Sequence, residues 1–160
     1  MSTVTSSTVA PAPVGPFKSL FGRKLQFDAK GTFVSNEKSV SSRAVGASIA
    51  VTDETTNVRG VTVTLKDANG DAITYQEIFE LFVFSTTGRT ALATGGSTGL
   101  ATDTAGLILK TVTAKLYFVV QTNASGVANF TWTDTGTESV SITVRLPNGN
   151  TVSSAAFANT

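Results

Sequence analysis

The run Asp67-Ala68-Asn69-Gly70-Asp71 puts oxygen-bearing side chains at alternate positions, the donor pattern by which a loop holds calcium. Its spacing departs from the EF-hand pattern, and no glutamate follows at the bidentate position. A turn between two strands accounts for the same residues. Glu77 and Glu80 are the next candidates, as a general acid/base pair. Three residues apart on a regular strand they face opposite sides, so they cooperate only if a bulge intervenes. The chain has 27 Thr and 16 Ser but no His, so no Ser–His nucleophile can be built, and a Ser–Lys pair is the hydroxyl chemistry left. The absence of Cys removes thiolate chemistry and disulfides. Gly95-Gly96-Ser97-Thr98-Gly99 lacks the Gly-Lys-Ser/Thr ending of a phosphate loop. No residue set names a reaction, and the expectation is a non-enzymatic protein without cofactor or metal.

The elements behind these residues divide in two. Residues 1–45 open with a Ser/Thr/Pro tract in which Pro11, Pro13 and Pro16 favour extended chain. They continue with scattered Phe and basic residues. This stretch holds six basic residues against two acidic, a balance of +4, while residues 46–160 hold six against nine, a balance of −3. We read 1–45 as an extended basic arm. Phe17, Leu20, Phe21, Phe27 and Phe33 are too few for a core of their own and read as anchors for a partner's groove or as a flap on the body, with Arg23, Lys24 and Lys30 as docking charges in the first case. The spacing of Phe17, Leu20 and Phe21 allows a short helical turn. Arg23-Lys24 beside Phe21 and Phe27 offers charge and stacking to nucleic acid, but two adjacent bases and a net charge of +1 argue against that partner. The first residues lack the basic and apolar regions of a secretory signal, and no apolar run approaches the roughly 18 residues of a membrane span. No membrane partner is expected.

From residue 46 onward the chain alternates at the period of strands. Ala47, Ile49 and Val51 form one such set, and Val61, Val63 and Leu65 a cleaner one. Residues 74–84 are the most aromatic stretch and predict a long strand with a slip near Glu80. Residues 86–106 predict a flexible Gly/Thr-rich loop or a weak hairpin at Gly95-Gly96. Leu107–Leu109, the apolar run 115–120, Ala128–Trp132, Val140–Leu146 and Thr151–Phe157 complete the set, with Pro147-Asn148-Gly149-Asn150 suited to a type I′ turn. About seven strands with short polar turns predict an all-β sandwich over 46–160. Trp132, the one Trp, is placed between the sheets.

Asp67, Gly70, Asn123, Gly126, Ala128, Phe130, Gly136, Val140, Ile142 and Val144 stand in a pattern that resembles bacterial and phage immunoglobulin-like domains, over roughly residues 45–157. The resemblance implies an immunoglobulin-like β-sandwich. Such domains decorate phage heads and tails and build bacterial adhesins. A single domain with an arm in place of a signal peptide is more similar to a capsid decoration or cement protein than to an adhesin module. The partners this implies are the major capsid protein and further copies of this chain, as a homo-oligomer on the virion. The place it implies is the capsid exterior, reached by assembly in the host cytoplasm. The alternative is a receptor- or glycan-binding module of a tail fibre, using the 86–106 loop and the 74–84 aromatics.

Overall fold

The computed structural model describes residues 17–18, 24–27, 33–35, 38–39, 43–85 and 89–160. The chain divides into two units, Met1–Val40 and Ser41–Thr160. The sandwich unit therefore begins a little before residue 46. Ala44 is fully buried in its core, and the Val45 amide donates to the Lys66 carbonyl at 2.9 Å.

In the first unit the described backbone pairs into an antiparallel meander of four short strands, in the order β1-β2-β3-β4. These are β1 (Phe17–Lys18), β2 (Lys24–Phe27), β3 (Phe33–Ser35) and β4 (Lys38–Ser39). Phe17 and Lys18 are in strand, not in the helical turn that the spacing of Phe17, Leu20 and Phe21 allows.

The second unit is a β-sandwich, and no described residue is helical. One sheet has four strands in the order β5-β6-β11-β8, namely β5 (Gly46–Val51), β6 (Val58–Lys66), β11 (Val127–Thr133) and β8 (Gly99–Thr102). The other has five in the order β13-β12-β7-β10-β9, namely β13 (Thr151–Ser153), β12 (Val140–Arg145), β7 (Ile78–Ser85), β10 (Tyr117–Gln121) and β9 (Leu107–Thr113). All pairings are antiparallel. Alternation decides which side chains meet between the sheets. Val61, Val63 and Leu65 of β6 and Ala128, Phe130 and Trp132 of β11 face Phe79, Leu81 and Val83 of β7 and Val140, Ile142 and Val144 of β12. Trp132 lies wholly within this core.

Three sequence expectations need correction. The register of β7 against β10 and β12 is continuous, so there is no slip at Glu80. The irregularity lies between β9 and β10, where the register shifts twice. The Gly/Thr-rich segment is also not a free loop. Its Gly99–Thr102 stretch pairs with β11 and buries Leu100, which brings the sandwich to nine strands. Only one bulky apolar residue marks β8, which is why alternation does not reveal it. Finally, Asn148-Gly149 is not a type I′ turn, which needs positive φ at both central residues. Gly149 has φ +87°, but Asn148 is not left-handed. The Gly149 amide donates to the Leu146 carbonyl at 2.9 Å, and the Leu146 amide to the Asn150 carbonyl at 2.8 Å. That is a type I turn closed by a left-handed glycine. Asp67–Asp71 and Asn123–Val127 repeat the same bonds.

The C-terminal segment is held by buried polar contacts that no sequence pattern announces. Asn159 Nδ2 donates to the carbonyls of Asn57 and Asp134 at 2.7 and 2.8 Å, while its Oδ1 accepts from Arg59 Nε at 3.0 Å. Arg59 Nη2 also donates to the Ala158 carbonyl at 2.7 Å. This ties the end of the chain to the loop before β6 and to the end of β11.

Two glycines that close the same kind of turn should respond differently to substitution. A Cβ on Gly149 meets nothing within 4 Å, so Gly149→Ala costs only the left-handed strain, about 1 kcal/mol. A Cβ on Gly126, at φ +72°, collides with Ile73, so Gly126→Ala is expected to cost about 2–4 kcal/mol. Urea unfolding of the two variants checks this, and equal losses would refute the packing account.

Candidate functional site

The inward alternation of β7 fixes what its other face presents. With Phe79, Leu81 and Val83 in the core, Ile78, Glu80, Phe82 and Phe84 point outward. Tyr117 of β10 and Thr143 of β12 lie opposite Phe82, and Arg145 lies opposite Glu80. The Phe82 and Tyr117 rings stack at 4.4 Å between centroids, 21° from parallel. Phe84 continues the row at 5.7 Å from Phe82. Three half-buried rings thus stand side by side on the outside of the five-stranded sheet.

Beside them sits a polar triad. The Tyr117 hydroxyl donates to Glu80 Oε1 at 2.6 Å, and Arg145 Nε and Nη2 engage Glu80 Oε2. The hydrogen bond to Glu80 raises the Tyr117 pKa above its ordinary value near 10, since the phenolate cannot donate it. Desolvation and the Glu80 charge add to this, and Arg145 opposes it. Tyr75, packed against the core, is also raised, mainly by burial and then by the charges of Glu77 and Asp67, with Arg43 opposing. Next to the triad is an open cleft of about 370 Å³, lined by Ile78, Glu80, Arg145, Pro147 and Gly149 among others.

The other candidates resolve into structure. Asp67 Oδ1 accepts the amides of Asn69 and Asp71 at 2.8 and 3.1 Å, so the carboxylate shapes its own turn. Among the described residues no group of three or more His, Cys, Asp or Glu side chains could hold a metal. Glu77 precedes β7 and Oε1 accepts the Ile78 amide at 3.2 Å, while Glu80 is committed to Tyr117 and Arg145. Lys115 Nζ donates to the carbonyls of Gly96 and Ser97 at 3.3 and 2.7 Å, which makes it a clamp on the glycine-rich loop. The same loop is pinned where the Thr94 amide and hydroxyl donate to the Glu138 carboxylate.

No family model, curated protein or solved structure matches this chain. The site is therefore read from its own geometry.

Of the arm residues singled out in the sequence, Phe17 lies in β1, Lys24 and Phe27 in β2, and Phe33 in β3. The pairing sets Phe27 directly opposite Phe33. Leu20, Phe21, Arg23 and Lys30 lie outside the described residues. The aromatic content of 74–84 marks Phe82 and Phe84 in the sequence, whereas Tyr117 stands in the continuous apolar run 115–120 that hides it. Period-2 alternation through 117–121, aligned against β7, is the signal that identifies it. Among the described residues no helix is long and apolar enough to cross a membrane.

The raised tyrosine pKa values predict an alkaline limit on stability. Each fold-stabilised neutral phenol contributes fully below the unfolded value near 10, and that contribution is lost as pH rises through the higher folded value. Urea unfolding midpoints should fall above about pH 10, and Tyr117→Phe should flatten part of that fall while leaving the part due to Tyr75. A Tyr117→Phe curve as steep as wild type would remove Glu80 as the cause.

Proposed function

We propose that this chain is a structural protein of a phage virion that decorates and cements the capsid exterior, its N-terminal segment bridging neighbouring subunits. The observation that carries this reading is the division of the chain. A basic N-terminal unit is joined to a β-sandwich in which Asp67, Glu77, Glu80 and Lys115 are engaged in structural contacts. In this reading Phe17, Leu20, Phe21, Phe27 and Phe33 supply apolar anchors, and Arg23, Lys24 and Lys30 meet carboxylates of the major capsid protein and of further copies. Burying about 500 Å² of apolar surface per copy has a gross worth near 12 kcal/mol at about 25 cal/mol/Å². Ordering the segment offsets most of that. Repetition over a closed lattice makes the sum large.

The test compares full-length protein with a variant carrying Arg23→Glu, Lys24→Glu and Lys30→Glu, and with a chain lacking residues 1–40. Both variants should fail to co-sediment with capsids under conditions where wild type does. Undiminished binding by the triple variant and the deletion together would sink the reading.

A second reading, a receptor- or glycan-binding module of a phage tail, is favoured by the outer face of the five-stranded sheet. Stacked rings beside a charge-neutral carboxylate–guanidinium pair suit the apolar faces and hydroxyls of a sugar. Here Phe82→Ala and Tyr117→Ala should abolish adsorption to cells or to a glycan array, and loss of residues 1–40 should leave it intact. Binding that survives both ring substitutions excludes this face.

A further inference from the structure

The chain contains two Asn-Gly pairs, Asn69-Gly70 and Asn148-Gly149. An asparagine followed by glycine can react with its own backbone. The amide nitrogen of the next residue attacks the side-chain carbonyl carbon, and glycine, with no Cβ, leaves that approach open. The fold sets the two pairs in equivalent places. Each ends a type I turn closed by its glycine at φ +87°, and all four residues are exposed. A Cβ at either glycine would meet nothing within 4 Å, so neither approach is crowded. Dipeptide, turn geometry and access are therefore matched, and a difference in reactivity must come from what holds the reacting atoms.

Both attacking nitrogens are bonded within their turns. The Gly70 amide donates to the Asp67 carbonyl at 3.1 Å, and the Gly149 amide to the Leu146 carbonyl at 2.9 Å. The electrophiles differ. Asn148 Oδ1 accepts the Asn150 amide at 2.9 Å, which fixes its carboxamide in the turn. The Asn69 side chain has no hydrogen-bond partner among the described residues. Asn148 must open two bonds before ring closure, and Asn69 only one.

We infer that Asn69 is a site of spontaneous deamidation and the one at which the folded protein ages first. Water is the co-reactant. The Gly70 nitrogen bonds to Asn69 Cγ, the Cγ–Nδ2 bond breaks, and the Gly70 amide proton leaves with the departing group as ammonia. Water then opens the succinimide on one of two sides. Cleavage of the new Cγ–N bond leaves aspartate. Cleavage of the original peptide bond to Gly70 leaves isoaspartate, with the chain routed through Cβ and Cγ. Either product places a carboxylate between Asp67 and Asp71. The isoaspartyl form also lengthens the backbone of a turn in which Asp67 Oδ1 accepts the Asn69 and Asp71 amides at 2.8 and 3.1 Å. The inference does not depend on the capsid reading, because it concerns the isolated protein.

The test stores the full-length chain at mildly alkaline pH, folded and in guanidinium chloride, and samples it over weeks. Proteolytic peptides are read by mass spectrometry, with aspartyl and isoaspartyl forms separated. In the folded protein Asn69 should convert about tenfold faster than Asn148, the scale of one further hydrogen bond to open. In denaturant the two rates should converge. Asn69→Gln, whose side chain would need a larger ring, should stay unmodified at that position and leave Asn148 and the thermal midpoint unchanged. Equal rates in the folded protein, or a faster Asn148, overturn the inference. So does a contrast that persists in denaturant, or a folded Asn69 that stays intact while the unfolded one converts.

Discussion

The register of β7 is the constraint on which the rest of the sandwich depends. This strand lies between β12 and β10, and its alternate residues Phe79, Leu81 and Val83 form the middle of the core. A shift of one residue would send Glu80 and the outer phenylalanines inward and expose the core set. Burying an ionised carboxylate without a partner is far more costly than leaving it on the face where Arg145 and Tyr117 meet it. The same alternation that fills the core therefore also builds the outer row of rings and the triad beside it.

Much of this was legible in the sequence. The clean alternation of Val61, Val63 and Leu65, and of Val140, Ile142 and Val144, specifies half-buried strands, and Trp132 falls in the core as its size demands. What the sequence hides has identifiable physical causes. β8 carries one large apolar residue in a run of Gly, Thr and Ala, so it is held by pairing to β11 rather than by a pattern of its own. Continuity of β7 could not be seen because Phe82 and Phe84 are apolar on the solvent side, which blurs the alternation. The Arg59–Asn159 contacts join positions at opposite ends of the sandwich unit, and no local spacing encodes such a meeting.

The candidate surfaces were legible in part for the same reason. Aromatic content drew attention to 74–84, yet only the fold separates Phe79, which packs, from Phe82 and Phe84, which face out. Tyr117 entered the site through pairing with a strand distant in sequence. β9 carries a run of Leu, Ile and Val that reads as an ordinary short strand, and its two register shifts depend on how β10 aligns against it. The chemistry suggested by Asp67, Glu77 and Lys115 gives way to turn and clamp roles once their partners are known.

The placement of β7 also bears on how the chain acquires its structure. Both of its neighbours, β10 and β12, lie tens of residues further along, and β11 reaches β6 across a similar span. Apart from the hairpins β5–β6, β9–β10 and β12–β13, the pairings of the sandwich are long-range, so closure entropy must be met before they return any gain, and folding should be slow for the size of the domain. On a ribosome the most aromatic segment emerges well before either strand that will flank it. During that interval Ile78–Ser85 is an unpaired apolar ribbon with two open edges. Until β10 and β12 follow, that ribbon is the segment of the domain most open to mispairing.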